Sequence, residues 1–529
     1  MRMASSQNVF ELENRDSSES NDQFNLDDSD FEIQGLTSDL YSKPPSTSRT
    51  QILLNIFPSR ITKLLNRRTV WNRSRRRPGR SVLGCPIILG RRTRLFFNSV
   101  AGIIAVLLVF TAIFRPSYTH PPPHYEQLRK RVLASNDYGR GNSDNQKIFI
   151  AASIYDKGGH LVKGAWGRNL LELLDLLGNR NTFLSIYEND SGEESQKALK
   201  EFEEKVQCNS KLVYEEHLPL KNIPRVTLPD GTKRIKRIAY LAEVRNKALQ
   251  PLGNSDFKYD KVLFLNDVVF DPIDAVQLLF STNANEHGEA SYHAACAVDF
   301  INPFKFYDTF ATRDIEGYSM GVPFFPWFST AGKGLSRQDV LDGKDAVRVK
   351  SCWGGMVAFD AKFLQPATSE SAVSPAKRNI LSSIEDRPVP ETQHWDLSHP
   401  IRFRAEPALD WDASECCLIH ADIIGATKTQ TAQEDTGIYQ NPFVRVAYGS
   451  ATLWFLPFTR RFEKLYTVPH RTIDYLVGLP WPNPRRKASE GEGAGAYRGG
   501  YCGMRTLQLL REEPRKGEKN WETVTLPTE

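Results

Sequence analysis

The sequence predicts an α/β protein with a largely parallel sheet, attached to a single-pass membrane anchor. Three observations lead to this prediction. Apolar, β-branched runs alternate with segments of helical periodicity, an order typical of βαβ units. Acids and amides follow directly after the strand runs, at the sheet edge where α/β proteins bind their ligands. A long apolar segment at residues 95–114 precedes all of these elements.

The apolar segment reads LFFNSVAGIIAVLLVFTAIF and has no charged side chain in its 20 residues. A helix rises about 1.5 Å per residue, so this length suffices for a hydrocarbon core of about 30 Å. Arg91, Arg92 and Arg94 directly precede this segment, and the excess of arginine on that side indicates a cytosolic N-terminus. The segment lies too deep in the chain for a cleaved signal peptide. We therefore expect a type II membrane protein whose residues after 115 are lumenal.

Composition divides the chain of 529 residues into parts of different character. The polar, acidic N-terminus cannot bury enough apolar surface to fold. The arginine-rich segment after it suits a membrane surface better than nucleic acid, because it adjoins the anchor. The net charge of +5 mostly reflects that segment. The predicted parts are a disordered cytosolic tail (1–50), a basic segment (51–94), the transmembrane helix (95–114), a stem (115–145), the lumenal α/β domain (146–475) and a C-terminal tail (476–529).

The cysteines fit an oxidising compartment. Cys85 precedes the anchor and the other six of the seven cysteines follow it. An even lumenal number permits three disulfides, and the sequence leaves the pairing open. Because no pair has CxxC spacing, a zinc site is disfavoured.

The elements of the α/β domain follow in order from residue 147. KIFIAASIYD (147–156) is a β-branched strand run. In residues 161–180, large apolar side chains recur at helical spacing, and TFLSIYEND (182–190) is the next strand. A polar helix follows, and later a helix over 237–252 leads to the strand KVLFLNDVVF (261–270). This repeated order predicts a parallel sheet that binds ligands at the carboxyl ends of its strands.

Asn266 and Asp267 come directly after the apolar run of that third strand. A carboxylate is a hard ligand that suits Mg²⁺ or Mn²⁺, and these ions usually bridge to substrate phosphates. We therefore predict a metal site at Asp267. The alternative interpretation, a helix cap or turn former, has comparable weight for a single aspartate.

Further acids lie near the ends of later segments and are candidate catalytic groups. Asp299 ends HAACAVDF, Asp314 follows Arg313, and Glu415 begins the string ECCLIHAD. Ion pairing or capping is the alternative interpretation for Asp299 and Asp314. His420 lies five residues after Glu415.

Candidate binding residues lie in two further strings. Arg245 and Asn246 are on the helix before the Asp267 strand, where an arginine could hold a diphosphate by paired hydrogen bonds; a surface ion pair is the commoner role. Trp353, Gly354 and Gly355 combine an aromatic surface with backbone that a ligand can approach closely, although a tight turn is the alternative.

These strings resemble a known family. RNKAL (245–249), FLND (264–267), RDIEG (313–317), SCWGG (351–355), FRAE (403–406) and SECCLIHAD (414–422) are similar, in order and spacing, to the cryptococcal-type α-1,3-mannosyltransferases of glycosyltransferase family 69, the fungal capsule-associated proteins. The resemblance spans about residues 147–455. It implies a GT-A-like, nucleotide-sugar-binding domain on a type II Golgi membrane protein, with GDP-mannose as donor and Mn²⁺ or Mg²⁺ as cofactor. It also places Asn266–Val268 at the acidic motif that holds metal and diphosphate, with one acid where many glycosyltransferases have two. The resemblance implies a catalytic or acceptor-binding role for Glu415 and, as a weaker expectation, a place for His420 in the metal shell. In such an enzyme we expect Asp299 and Asp314 to orient the sugar or to stabilise charge at its reacting carbon.

The leading functional hypothesis is therefore a retaining mannosyltransferase that acts on a mannoside or polysaccharide acceptor in cell-wall, capsule or glycan synthesis. One alternative is a non-catalytic scaffold or export factor for cell-surface polysaccharide with the same fold. Another is a glycoside hydrolase, which has the carboxylates but gives no reason for the Arg245–Asn246 helix or the Asn266–Asp267 strand end. The expected partners are the nucleotide sugar, the acceptor and the membrane, and no nucleic acid. The acceptor, the linkage and the oligomeric state are left open.

Overall fold

A computed structural model describes residues 91–253, 257–366, 400–427, 434–486, 499–511 and 520–524. These residues form two compact units, one of residues 91–110 and one that starts at Thr111. In the described residues, the first unit consists of most of helix α1 (Arg91–Phe114). In the described ranges, no helix is both long enough and apolar enough to cross a membrane. The transmembrane helix predicted for residues 95–114 is therefore not supported, and the predicted segment 1–50 lies outside the described residues.

The second unit is built on a nine-stranded sheet, with strand order β3-β2-β1-β6-β10-β7-β12-β9-β8. Its strands are β1 (Ile148–Ile154), β2 (Thr182–Asn189), β3 (Asn209–Glu215), β6 (Lys261–Leu265), β7 (Ala294–Phe300), β8 (Arg313–Asp314), β9 (Val347–Ser351), β10 (Met356–Asp360) and β12 (Ile438–Ala447). The prediction of an α/β fold is confirmed. The sheet is mixed, because β1, β2, β3 and β6 are parallel while β10 runs antiparallel between β6 and β7.

The central strands are continuous apolar runs because both faces of the sheet are covered. All seven residues of β1 are buried, as are four of the five residues of β6. The helices of this unit are α2 (Pro123–Ala134), α3 (His160–Lys163), α4 (Ala165–Leu177), α5 (Glu193–Glu203), α6 (Arg237–Gly253), α7 (Pro272–Ser281), α8 (Leu335–Leu341), α9 (Glu415–Thr427), α10 (Ser450–Thr459) and α11 (Thr467–Val477).

Helix α4 shows how the sequence periodicity produces the core. Trp166, Leu170, Leu173, Leu174 and Leu177, the residues with helical spacing, are all buried. The helix ends at Gly178, whose φ of +88° is readily adopted only by glycine. The predicted helix in residues 161–180 is thus confirmed, with shorter bounds.

Two segments predicted to lie outside the domain belong to it. Within the predicted stem (115–145), α2 buries Tyr125, Leu128 and Val132, and the Tyr125 hydroxyl accepts a hydrogen bond from Asn441 Nδ2 at 2.7 Å. In the predicted C-terminal tail (476–529), β13 (Gly503–Met504) pairs with β11 (Asp412–Ala413) of the domain, and β14 (Gln508–Leu510) pairs with β15 (Trp521–Thr523). Strands β4 (Arg225–Thr227) and β5 (Lys233–Ile235) form another small pair. The stem and tail predictions missed these contacts because the apolar residues involved are few and widely spaced.

Among the described residues, two disulfides join distant parts of the second unit. Cys296 of β7 is bonded to Cys352, and Cys417 of α9 is bonded to Cys502. Cys208 and Cys416 lie outside these two disulfides. The second bond fastens the C-terminal strands to α9, which explains why residues beyond 475 fold with the domain.

Candidate active site

Hydrogen bonds to the backbone and the side chain of Asn266 fix the turn that follows β6. The Asn266 N–H donates to Gly355 O at 2.9 Å, and its carbonyl accepts from Trp166 Nε1 at 2.8 Å. Its side-chain Oδ1 accepts from both Arg245 Nη1 and Trp353 Nε1, each at 3.2 Å. Asn266 is therefore a fixed support for the next residue, Asp267.

Arg245 and Glu415 form a buried ion pair behind this turn. Arg245 Nε donates to Glu415 Oε1 at 2.9 Å, and both residues are 3% exposed. The guanidinium lies over the Trp353 ring at 4.7 Å and near the rings of Phe264 and Phe403 at 5.6 and 5.9 Å. A guanidinium in such an aromatic surround gains cation–π attraction while its charge is matched by one carboxylate. The pair links α6 to the first residue of α9.

The segment Trp353–Gly355 packs tightly against the Asn266 turn. Gly354 has φ +57°, and a Cβ built there would lie 2.0 Å from Ala297 O. Gly355 has φ +66°, and its Cβ would lie 2.6 Å from Val268 Cγ1. Only glycine combines these backbone angles with this close approach. The two glycines thus bring Trp353 to Asn266, which makes the predicted ligand-approach turn a structural element of the site.

A buried pair of acids lies beneath this segment. Asp308 Oδ2 accepts from the Gly354 N–H at 3.2 Å, and Asp299 Oδ1 accepts from the Asp308 N–H at 3.1 Å. Tyr448 Oη donates to Asp299 Oδ2 at 3.3 Å. Burial, and then the neighbouring Asp308 charge, raise the pKa of Asp299 well above its ordinary value. The candidate catalytic residue Asp299 is therefore linked through Asp308 to the Gly354 backbone.

Asp267 is half-buried and follows the fixed Asn266 at the carboxyl end of β6. In the part of the chain that the structure describes, no group of three His, Cys, Asp or Glu ligand atoms includes it. A divalent ion at Asp267 would thus take at most two such side chains of the described residues and depend on substrate phosphate oxygens for further ligands. That donor set fits Mg²⁺ or Mn²⁺, which are often bound by one or two carboxylates plus phosphates.

Two other predicted site residues, Asn246 and Asp314, lie in different surroundings. Asn246 exchanges two hydrogen bonds of 2.9 Å with the backbone of Phe403, so it holds the segment that carries this ring. Asp314 Oδ1 accepts from the Tyr318 and Glu316 amides at 2.7 and 3.0 Å and lies on β8, the last strand in the sheet order. Burial raises the pKa of Asp314 to about 7.

His420 lies apart from Asp267. Its ring stacks on Phe359, which pairs with Val262 in β6, about 10 Å along the strand from Leu265. Its Nδ1 contacts Cys416 O at 2.8 Å, and burial lowers the pKa of the imidazole to about 4. The ligand atoms of His420 and the disulfide-bonded Cys296 and Cys352 lie within 4.8 Å of one another. The structure does not bring His420 and Asp267 into one metal shell.

A second polar cluster lies at the carboxyl end of β2. Asn189 Nδ2 donates to Tyr240 Oη at 2.7 Å, and Tyr240 Oη donates to Asp190 Oδ2 at 3.1 Å. His217 Nδ1 contacts Asp190 Oδ1 at 2.5 Å. Since β2 and β6 flank β1 in the same parallel half of the sheet, this cluster and Asp267 share one sheet edge.

Sequence reasoning did not include Trp166, Phe403 and Asp190 among the candidate site residues. Asp190 directly follows a strand, so the strand-end rule that found Asp267 could also have found it. Trp166 and Phe403 gave no such indication, because a tryptophan on a helix and a phenylalanine in a loop read as core residues.

Comparisons with known proteins find one matching family model and several solved structures of low sequence identity. A family model described as cryptococcal mannosyltransferase 1 matches residues 147–422, more than half of the chain. A search of the curated proteins finds no significant match. Among solved structures, the mannosyltransferase PcManGT from Pyrobaculum calidifontis, in complex with GDP-Man and Mn²⁺, has 12% sequence identity and a TM-score of 0.31; the alignment covers 75% of this chain and 88% of that chain. TarS 1-349 from S. aureus, in complex with UDP-GlcNAc, has 9% identity and a TM-score of 0.25, with 57% of this chain and 58% of that chain covered.

The family match begins one residue before β1 and ends within α9. It therefore includes Arg245, the Asn266–Asp267 turn, the Trp353–Gly355 segment and Glu415. The chain belongs to the cryptococcal mannosyltransferase 1 family and is a glycosyltransferase.

Proposed function

We propose that this glycosyltransferase transfers mannose from GDP-mannose to a mannoside or polysaccharide acceptor, with retention of configuration and formation of an α-1,3 linkage. Family membership supports mannose as the transferred sugar. The resemblance of the site strings to the family 69 enzymes supports the donor, the linkage and a role in cell-wall or capsule polysaccharide synthesis.

One observation carries this proposal: a half-buried carboxylate, Asp267, follows a fully fixed asparagine at the carboxyl end of a central strand. Ligands of α/β sheets bind at such strand ends, outside the sheet edge. A negatively charged diphosphate would not bind next to a carboxylate without a cation between them. Asp267 is therefore the residue that would hold Mn²⁺ or Mg²⁺ against the diphosphate of the donor. When bound, such an ion stabilises the charge that develops on the leaving diphosphate.

The protein's own groups fix the geometry of this edge. Arg245 and Trp353 each donate a hydrogen bond to Asn266 Oδ1, and Glu415 in turn holds Arg245. Asp299, through Asp308, holds the Gly354 backbone on which the position of Trp353 depends. We propose that these are positioning residues: Arg245 and Trp353 bond directly to Asn266, whereas Glu415, Asp308 and Asp299 reach the turn through another residue. A turn fixed in this way keeps its charged groups oriented before the substrate arrives, which lowers the cost of reorganisation during reaction.

The test is a product assay with the purified full chain, Mn²⁺ and a mannobioside acceptor. GDP-mannose is compared with GDP-glucose, GDP-fucose and UDP-N-acetylglucosamine. We expect a mannosylated product from GDP-mannose only, with an α-configured linkage by NMR. Transfer from another donor would change the proposed substrate. Binding of GDP-mannose without any product, over a broad acceptor panel, would favour the scaffold alternative.

We also propose that the second unit works in an oxidising compartment of the secretory pathway, with the Golgi lumen as its location. Two disulfides within the described residues support this, because such bonds persist in oxidising compartments and are rare in the cytosol. Protease treatment of sealed microsomes tests the proposal. Residues 116–529 should survive, and their digestion in sealed vesicles would contradict it.

A further inference from the structure

Helices α10 and α11 expose an apolar surface. Trp454, Val468 and Tyr475 are 79%, 82% and 85% exposed, and Phe458 and Leu476 are also well exposed. We call these five residues the α10–α11 surface. Single exposed apolar side chains are normal, but several large ones on two consecutive helices usually mark a contact site.

The acidic residues of the same segment are buried, whereas two of its arginines are exposed. Residues 450–478, all of which the structure describes, contain two acids, Glu463 and Asp474, and both are buried. Glu463 is paired with Arg445 through two hydrogen bonds. Arg461 and Arg471 are exposed. The solvent-facing part of this segment is therefore apolar and positively charged.

The buried acids also explain why the apolar side chains point outwards. Asp474 Oδ1 accepts from the Val322 N–H at 2.7 Å, and its other oxygen lies 3.0 Å from His470 Nδ1. Asp474 and Glu463 anchor the two-helix segment to the domain by polar contacts, and Tyr475 and Leu476 follow on the outside of α11. Both acids of this segment thus face the domain while several large apolar side chains face the solvent, unlike the usual pattern of an amphipathic surface helix.

The α10–α11 surface adjoins the start of the second unit. The Ser117 N–H donates to Arg460 O at 2.9 Å, and Arg460 Nη1 donates to Tyr118 O at 3.2 Å. The end of α10 is thus bonded to the residues through which the chain enters this unit.

We propose that the α10–α11 surface docks on a lipid bilayer that contains anionic headgroups. Tryptophan and tyrosine favour the boundary between headgroups and acyl chains, where one edge of the ring is wet and the rest is apolar. Valine and leucine gain by burial in the acyl region, and the two exposed arginines would bind lipid phosphates. An oligosaccharide is a poorer occupant, because it requires polar side chains between the aromatic rings. An acidic partner protein would explain the exposed arginines but not the exposed aliphatic side chains.

The experiment measures amide hydrogen exchange of residues 450–478 in the full chain, before and after addition of lipid vesicles. Reading exchange at α10 and α11 separates this contact from any other lipid contact of the chain. Vesicles of phosphatidylcholine with about one third phosphatidylserine are compared with pure phosphatidylcholine. We expect exchange in α11 to slow by about tenfold with the anionic vesicles and by much less with the neutral ones.

Two variants test the assignment to these side chains. Trp454→Ser with Tyr475→Ser should abolish the protection, and Arg461→Glu with Arg471→Glu should abolish the difference between the two lipids. The matched control is Phe257→Ser, which removes a ring that is 50% exposed near the start of β6, whereas α10 begins after the carboxyl end of β12. The control should leave the protection unchanged, and thermal melting should show all variants folded.

Unchanged exchange of residues 450–478 with both kinds of vesicle would overturn the proposal. Protection that appears without lipid and rises with protein concentration would overturn it as well, because it would identify a second copy of the chain as the occupant. Protection by mannose oligosaccharides alone would identify the acceptor instead.

Discussion

Arg245 has surroundings that differ from those expected of a ligand-binding arginine. An arginine on the helix before the Asp267 strand could bind a diphosphate, but this one is 3% exposed and bonded to Glu415 and Asn266. Its charge is compensated inside the protein. The negative charge of Glu415 is likewise matched by Arg245, which explains how an acid can begin α9 in a buried position.

We predict that Arg245→Met destabilises the protein by about 3–5 kcal/mol, because it leaves the Glu415 carboxylate buried without its partner. Adding Glu415→Leu should restore most of this stability, since two apolar residues replace the pair. Transfer activity should stay low in the double variant, because Asn266 Oδ1 has lost one of its two donors. Chemical unfolding and transfer rates measure the two effects. Full activity in the double variant would show that the pair contributes to stability only.

Asp314 provides a pH test at the same scale. Burial raises its pKa to about 7, whereas an unfolded aspartate has a pKa of about 3.9. The native state therefore binds more protons in this range, and the free energy of unfolding decreases as pH rises from about 4 to about 7. Asp314→Asn stays neutral and can accept the same two amide hydrogen bonds. We expect the variant to gain about 2–4 kcal/mol relative to wild type over this range, measured by urea unfolding at both pH values.

The same variant decides the role of Asp314 in the reaction. Its carboxylate faces the backbone of its own turn, so Asp314→Asn should keep transfer activity within about threefold of wild type, a change of under 1 kcal/mol in barrier height. A loss of a hundredfold or more would return Asp314 to the catalytic residues.

At the level of elements, the site depends on how closely the Trp353–Gly355 segment approaches β6 and β7. This contact requires positive φ at both glycines and a backbone acceptor, Ala297 O, next to Gly354. The sequence string SCWGG suggested close backbone approach but not its partner. The partner proved to be the protein's own turn, because the antiparallel strand β10 brings Gly355 beside the end of β6.

We predict that Gly354→Ala lowers both stability and activity. The new methyl group would meet Ala297 O, and the residue would be held at a φ that costs a non-glycine residue about 1–2 kcal/mol. The matched control is Gly334→Ala, which has a similar φ of +63° but nothing within 4 Å of the built Cβ. The control should lose only the backbone strain and keep its activity, as judged by thermal melting and kcat/KM. Equal losses in the two variants would mean that close packing at Gly354 does not matter.

Elements with strong periodicity were predictable, and weakly periodic ones were not. The spacing of Trp166 and Leu170 predicted α4, and the apolar runs predicted β1, β2 and β6. Helix α2 was missed because Pro121–Pro123 and the charged residues after it resemble a linker, although Pro123 is well suited to the first turn of a helix. The C-terminal strands were missed because the sequence does not reveal that Cys502 pairs with Cys417.

For the whole molecule, chain order predicted the parallel half of the sheet but not its other half. Strands β1 and β2 are joined by α4 as one βαβ unit, and the order of helix and strand repeats before β6, although β6 pairs with β1 across a long stretch of chain. The antiparallel position of β10 between β6 and β7 also depends on pairing between strands far apart in sequence, and no local pattern encodes it. The same limit applies to the site. Asp267 was identifiable because it follows a strand, whereas the contacts of Arg245, Trp353 and Glu415 around Asn266 could be seen only in the folded structure.

The central claim is that Asp267, on the turn fixed by Asn266, holds the divalent metal and the donor diphosphate. The most direct test is the Mn²⁺-dependent rate of mannose transfer from GDP-mannose by wild type, Asp267→Ala and Asp267→Asn. Because Asp267 is half-buried at the end of a strand, both variants should fold with a melting temperature close to that of wild type. Both should lose at least about a thousandfold in kcat, since loss of the metal's charge stabilisation costs several kcal/mol. Activity within about tenfold of wild type in both variants would contradict the claim and place the metal elsewhere.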